Sequence, residues 1–369
     1  MFLKNIKITN YKNCDTADID FSHKINCFVG NNGMGKTNLL DAIFYLSLCK
    51  SYFNYADTQN IRYGEEYFTL QGYYERAPGK EEIFCAVSKE KKKIFKRNGK
   101  EYERLSDHIG LLPVVIISPY DTMLITEGSE ERRKLLNTII SQYNKEYLHD
   151  IMRYNKALIQ RNKLLKDLAE KKNKDIEILQ VYDEQLIHYG EKIHAVRNDF
   201  IEKFTSVFSH YYKLISGNKE VVELNYLSPL HKGNYRQQLQ DARIKDLAVQ
   251  FTTIGIHKDD LQMHIAGYPI KNSGSQGQQK TFLVSLKFAQ FDFIKHISGV
   301  KPILLMDDIF DKFDNTRITE IIRLVANDNF GQIFISDTNQ EHLMQILKHI
   351  SFENSIFFVE NGHPKLLPI

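Results

Sequence analysis

Residues 25–46 read Ile25-Asn-Cys-Phe-Val-Gly30-Asn-Asn-Gly-Met-Gly35-Lys-Thr-Asn-Leu-Leu40-Asp-Ala-Ile-Phe-Tyr45-Leu46. Gly30, Gly35, Lys36 and Thr37 fit G-x-x-x-x-G-K-[ST], a loop whose backbone amides close around phosphate and which needs a strand before it and a helix after it. The apolar run Ile25 to Val29 supplies the strand, and Leu39, Ile43 and Leu46 recur at helical spacing. Gly30, Gly33 and Gly35 can take positive φ, and Asn31 and Asn32 tolerate it better than most residues. Unpaired amides and partial positive charge at the helix start face the same anion. Lys36 is placed to reach the β- and γ-phosphates and Thr37 to bind Mg²⁺; Met34 and Asn38 complete the loop. The stretch predicts a site for a nucleoside triphosphate.

Outward from the loop, composition sets the class. The chain has 369 residues, 42% of them hydrophobic and 26% charged, as in an ordinary globular protein with room for two lobes. Its four cysteines, Cys14, Cys27, Cys49 and Cys85, form no C-x-x-C pair and indicate neither a zinc site nor a disulfide framework. Charged and apolar residues alternate at the start, unlike a signal peptide, and no run reaches transmembrane length. The expected location is the cytoplasm, with no membrane partner. A net charge of +3 cannot carry an argument for nucleic-acid binding, so local patches must.

Residues 2–9 and 19–29 read as strands. Several short β-type runs follow over 61–104, and Asn98-Gly99 suits a two-residue hairpin turn. That hairpin carries Lys89, Lys91, Lys92, Lys93, Lys96, Arg97 and Lys100. Such a run reads first as a solvated sheet edge and second as a surface for a phosphate backbone. Val114 to Ile117 reads as a buried strand. Beyond it the pattern is helical for about ninety residues, with Tyr147, Ile151, Tyr154, Leu158, Leu165 and Leu168 on one arm of a helical hairpin. Leu179, Leu186, Ile193, Val196 and Phe200 mark the other arm. β-type patterning returns over 249–270. Ser275 then suits the N-cap of a helix, with Gln278 completing a capping box around Gly277.

Lys301-Pro-Ile-Leu-Leu-Met-Asp-Asp308 is an apolar run ending in paired acids, as in a strand buried on both faces of a parallel sheet. Ligand groups gather at the carboxyl ends of such strands. There Asp307 can hold Mg²⁺ beside Thr37, and Asp308 can position or deprotonate an attacking water. A last strand near Gln332 to Ser336 and a helix over 340–348 follow.

In this order, the phosphate loop, Ser275-Gln-Gly-Gln-Gln-Lys280 and Leu304-Leu-Met-Asp-Asp308 resemble the ABC-type ATPases of the SMC-like DNA-repair branch, and within it the bacterial recombination mediators. Further matches are Ile117-Ser-Pro-Tyr-Asp121 with Arg132-Arg133, Tyr154-Asn, Gln160-Arg-Asn-Lys-Leu-Leu-Lys166, Gly255-Ile-His-Lys-Asp-Asp-Leu261, and Asp307 to Asp314 with Arg317. The resemblance implies an α/β fold: an ABC-type ATPase head, built on a phosphate-loop core with an added β-sheet, plus a mainly helical second lobe. Lobe I is expected over 1–118 and 295–369, and lobe II, with the signature motif, over 119–294.

The resemblance further implies a homodimer driven by ATP and Mg²⁺, in which Ser275, Gly277 and Gln278 of one subunit close over ATP held by the other. Asp314 matches a residue at the dimer seam, and 118–121 a segment that couples nucleotide state to the helical lobe. DNA, single-stranded or as gapped duplex, and other recombination mediators are the implied partners. The implied roles are recombinase loading, replication-fork maintenance and SOS induction, with weak DNA-stimulated hydrolysis acting as a switch. Lys12 and Lys280 stand where the family usually has Arg, and Ser336 to Asn339 where transporter relatives carry a switch His, for which His342 is a doubtful substitute.

The alternative reading is the ATPase subunit of an SMC-like DNA-processing nuclease, which would need a further acidic metal domain. About 240 residues between the phosphate loop and Ser275 are too few for the long coiled coils of a full SMC protein. The base-reading N-K-x-D of a GTPase is lacking.

Overall fold

In the computed structural model the described residues are 1–54, 56–76, 79–170, 176–310, 313, 315–325, 328–339, 343 and 353–368. Asp314, His342 and the helix expected over 340–348 (Leu343 apart) lie outside them. The chain divides into two compact units: Met1–Asp121, Leu214–Gly217 and Lys280–Ile369 form the first, Thr122–Lys213 and Asn218–Gln279 the second.

The first unit is built on two sheets. Strands β1 (Phe2–Tyr11), β2 (Cys14–Asp20), β4 (Tyr67–Arg76), β5 (Gly79–Ser88), β6 (Ile94–Arg97) and β7 (Lys100–Glu101) form an antiparallel sheet in the order β2-β1-β4-β5-β6-β7. Strands β3 (Ile25–Val29), β8 (Val114–Ile117), β12 (Ile303–Asp307), β13 (Ile333–Asp337), β14 (Asn354–Glu360) and β15 (His363–Leu366) form the core sheet, ordered β15-β14-β3-β13-β12-β8. All its pairings are parallel except β14 with β15. β3, β8, β12 and β13 are buried along their whole length, which explains their uninterrupted apolar runs. Helix α1 (Lys36–Leu48) packs against β1 and β4 of one sheet and β8, β12 and β13 of the other. Covered on both sides, it is apolar nearly all round rather than striped.

The second unit contains α2 (Met123–Thr126), α3 (Ser129–Ser141), α4 (Lys145–Glu170), most of α5 (Gln180–Ser216), α6 (Tyr235–Val249) and α7 (Ile270–Ser273). It also holds a small antiparallel sheet ordered β11 (Tyr268–Pro269), β10 (Asp260–Ile265), β9 (Val222–Leu227). α4 and α5 run antiparallel, tied by Arg153 over the Tyr189 ring and by the Arg161–Asp183 ion pair. The expected helical hairpin exists, and α6 packs onto α4, with the Tyr154 and Tyr235 hydroxyls 3.2 Å apart.

Helix α8 (Gln276–Ser298) starts in the second unit and continues in the first. The units part at 121/122 and 279/280, where the sequence reading placed the lobe borders at 118/119 and 294/295. The second border shifts because α8 from Lys280 onward is committed to the first unit: the Lys287 ammonium is 2.6 Å from the buried Asp121 carboxylate, and Phe288 and Phe291 pack on Phe330. Helix α9 (Asn315–Val325) follows β12.

Candidate functional site

β3 ends at Val29, and the chain turns through the loop into α1. Positive φ falls on Gly30 (151°), Gly33 (80°) and Gly35 (108°), and not on Asn31 or Asn32, which keep ordinary backbone. The three glycines differ in surroundings. A Cβ on Gly30 would lie 2.5 Å from the Val359 carbonyl oxygen of β14, whereas one on Gly33 would meet nothing within 4 Å. Gly30 thus serves the close approach of two strands, and Gly33 leaves open space on the loop. The Lys36 ammonium curls back to donate to the Gly30 carbonyl at 2.7 Å and the Asn31 carbonyl at 3.1 Å. A cation whose hydrogen bonds among the described residues go to these two carbonyls is available to an anion entering the loop.

β12 lies beside β13 in the core sheet, with Asp307 in register with Ser336. This pairing carries Asp307 to the start of α1, where Thr37 Oγ1 is 2.9 Å from its Oδ1 and 3.0 Å from its Oδ2. Ser336 Oγ donates to Asp307 Oδ1 at 2.6 Å. Burial pushes the Asp307 carboxyl above the usual carboxylate range, while the two hydroxyls and Lys36 act against that rise. Asp308 follows with φ of +45°, in the left-handed region. Thus Asp307, far from Lys36 and Thr37 in sequence, meets Thr37 at the phosphate loop, and Asp308 follows it in the chain.

The donor set suits a hard cation. A carboxylate beside a hydroxyl, both oxygen donors, matches the preference of Mg²⁺, which takes few protein ligands and keeps its remaining positions for phosphate and water. No group of three or more His, Cys, Asp or Glu able to hold a metal occurs among the described residues. Thr37 and Asp307 are protein groups that could hold Mg²⁺ here.

The model of the RecF/RecN/SMC N-terminal domain family matches residues 2–363. A DNA replication and repair protein RecF of Bacteroides fragilis is 50% identical over 363 residues, covering 98% of this chain and 97% of that one. The chain belongs to the RecF family. The RecF of Flavobacterium johnsoniae is 49% identical, covering 97% of this chain and 99% of its own. Among solved structures, one described as the recombination mediator protein RecF-ATP in the RecFOR pathway superposes with a TM-score of 0.90 at 31% identity, covering all of this chain and 98% of that one. An SMC head bound to the C-terminal winged-helix domain of ScpA gives a TM-score of 0.60 at 16% identity, a likeness of fold. The fold is the ABC-type ATPase head of RecF and SMC proteins.

Within this RecF-family head, Lys12 and Lys280 have definite surroundings. The Lys12 ammonium is 2.6 Å from the fully buried Asp41 carboxylate. Asp41 also accepts from Tyr11 Oη (2.7 Å), Ser51 Oγ (2.6 Å) and the Tyr52 amide (2.8 Å). Four separate donors surround it, so the two-pronged fork of an arginine is dispensable at this position. The Lys280 ammonium lies over the Phe313 ring at 5.8 Å. In the 118–121 segment, Asp121 accepts from Tyr52 Oη at 2.5 Å and from the Ser118 amide at 2.8 Å, opposite Lys287.

In the second unit the expected capping box forms: the Ser275 amide donates to Gln278 Oε1 at 2.7 Å, and the Gln278 amide lies 3.3 Å from Ser275 Oγ. Gln278 Nε2 also donates to Glu220 at 2.9 Å, and Ser275 is exposed. Of His257 to Asp260, which the sequence leaves without a role, His257, Asp259 and Asp260 are tied into the second unit. His257 donates to the Thr252 carbonyl at 3.0 Å and accepts from Tyr154 Oη at 2.8 Å. Asp259 is fully buried and pairs with Arg197 and Tyr226, and Asp260 is gripped by the Arg132 guanidinium at 2.7 and 3.2 Å.

The basic hairpin, in the first unit, turns at Asn98-Gly99 as expected, with φ of 50° and 79°. Its charges are not equivalent. Lys93 is tied to Asp57 at 2.8 Å and Lys89 to Glu66 at 3.1 Å, while Arg97 pairs with Glu81. Lys91, Lys92 and Lys100 are exposed.

Proposed function

We propose that the chain is an ATP-dependent DNA-binding switch of recombinational repair, acting in the cytoplasm at single-stranded gaps or gapped duplex DNA with other recombination mediators. Its place there is recombinase loading, replication-fork maintenance and SOS induction; the RecF relatives' names support a role in DNA replication and repair, and the RecFOR description one in recombination mediation. The observation that carries the nucleotide reading is the meeting of Thr37 with Asp307 beside the open face of the phosphate loop.

Lys36 exchanges its two carbonyl partners for the β- and γ-phosphates, and the first amides of α1 point at the same anion. Thr37 and Asp307 hold Mg²⁺, which when bound supplies charge compensation for the phosphates. Asp308 positions the attacking water and takes up its proton. Ser275, Gly277 and Gln278, at the start of α8, act on the nucleotide of a second copy, so that ATP drives dimerisation and slow hydrolysis reverses it. Conversion of ATP is the timer of the switch rather than its product.

Three substitutions test this reading. Lys36→Ala should abolish tight ATP binding, measured by titration, while the fold is kept; wild-type affinity in that variant would sink the loop assignment. Ser275→Arg should bind ATP yet fail to dimerise, and Asp308→Asn should form a long-lived ATP dimer. In a mixture of the last two, a Ser275→Arg/Asp308→Asn heterodimer carries both lesions in one composite site and leaves the other intact. Activity above either variant alone is expected, and hydrolysis by a strictly monomeric wild type would rule the mechanism out.

A further inference from the structure

Resting on that reading of the site, we propose that Ser336 is a positioning residue that sets the direction of Asp308. Ser336 is fully buried near the end of β13. Its single hydroxyl proton is committed to Asp307 Oδ1 at 2.6 Å. Its oxygen accepts the Asp308 amide at 3.0 Å, and the Ser336 carbonyl stands 3.3 Å from the same amide. One side chain therefore fastens the carboxylate of one acid and the backbone of the next.

The backbone it fastens is unfavourable by itself. Asp308 has φ of +45°, in the left-handed region that side-chain-bearing residues adopt only as isolated exceptions. Such a conformation persists only where neighbours over-determine it. Parallel pairing of β12 with β13 ends at Asp307 and Ser336, and the last ladder bond is the 3.3 Å one from the Asp308 amide to the Ser336 carbonyl. The serine hydroxyl adds a second, shorter bond to the same amide. It holds the chain at the Asp308 turn while leaving the Asp307 side chain against Thr37. Because a hydroxyl has one proton and it goes to Asp307, the Asp308 amide meets a lone pair, and the arrangement has one sense only. A serine kept merely because it is small would be replaceable by alanine without consequence; a positioning serine would not.

The test uses the full chain with Ser336→Ala, Ser336→Thr and, as reference, Asp308→Asn. In a crystal structure of Ser336→Ala without nucleotide, Asp308 is expected to leave the left-handed region. In solution Ser336→Ala should bind ATP within about threefold of wild type, yet hydrolyse it about 100-fold more slowly, the lower end of a missing acid–base contribution. Its ATP dimer, followed by sizing, should outlive the wild-type dimer as the Asp308→Asn dimer does. Ser336→Thr, which restores the hydroxyl, should recover both properties. An unchanged Asp308 φ with wild-type hydrolysis and dimer lifetime in Ser336→Ala, beside a trapped Asp308→Asn dimer, overturns the role of Ser336 alone. Equal losses of ATP affinity and hydrolysis in Ser336→Ala would also overturn it. An Asp308→Asn dimer as short-lived as wild type would overturn the reading of the site, and this role with it.

Discussion

Arg197 on α5 and Asp259 before β10 meet with Nη1 2.5 Å from Oδ2, both side chains sealed from solvent. Tyr147 Oη and Asn137 Oδ1 accept further guanidinium hydrogens at 3.0 and 2.9 Å, and the Ile256 carbonyl another at 3.0 Å. A buried charge whose partner is removed costs about 3–5 kcal/mol, whereas removing both charges together costs far less. Asp259→Leu and Arg197→Met should each destabilise the second unit by about that amount. The double variant should be more stable than the two losses added, read from denaturant midpoints in a double-mutant cycle. Strict additivity would mean that the pair is not a coupled unit.

His257 makes the same region sensitive to acid. Burial pushes its imidazole down to about 4, while an unfolded imidazole titrates near 6.5. Between those values the unfolded chain binds the extra proton, so stability is full above about pH 6.5 and falls as pH drops toward 4. The full loss should be about 3 kcal/mol. His257→Gln, which cannot titrate there, should start less stable and show a flatter pH dependence across that window. An equally steep decline in His257→Gln would place the titration on another group.

Much of this was legible in the sequence, for identifiable reasons. The phosphate loop and the Asp307-Asp308 step are local patterns whose backbone demands restrict residue choice. The Ser275–Gln278 box is likewise complete within four residues. Ser336 gave no such signal, because a single serine near the end of an apolar strand acquires meaning only when the sheet order sets it beside Asp307. Arg197 was overlooked, and Arg161 stood in a matching stretch without a buried role, because charge suggests solvent; yet both continue their helical stripes: Arg161 stands seven residues after Tyr154, and Arg197 four after Ile193. In the structure Arg197 takes the buried position and Val196 is only partly covered. β9 alternates buried and exposed residues along Val222–Leu227; its strand pattern is short and follows directly on the long helical region.

The hairpin separates two kinds of cation, and DNA should distinguish them. Exchanging Lys91, Lys92 and Lys100 for glutamine should weaken duplex binding and flatten its salt dependence by about 0.9 in log–log slope for each phosphate no longer neutralised. Arg97→Gln should leave that slope unchanged, because the guanidinium is already engaged with Glu81. Anisotropy titrations of a labelled duplex across a salt series give both numbers. A slope untouched by the three lysines would make the hairpin a solvated edge.

Two glycines of the phosphate loop should fail for different reasons. On Gly30 an added methyl group would press within 2.5 Å of the Val359 carbonyl, a backbone atom of the neighbouring strand that cannot swing aside. Gly30→Ala should therefore lower thermal stability in the absence of any nucleotide, by about 1–3 kcal/mol for the overpacking with backbone strain in addition. Gly33 has positive φ with nothing within 4 Å of a Cβ. Gly33→Ala should cost about 1 kcal/mol of backbone strain and leave the fold intact, while intruding on the open side of the loop where phosphate is proposed to sit. The expected pattern is a melting temperature near wild type without ATP, together with the disappearance of the ATP-induced rise. If Gly33→Ala keeps the full rise and Gly30→Ala melts as wild type, then neither the close approach of β14 nor the open face has the role assigned to it.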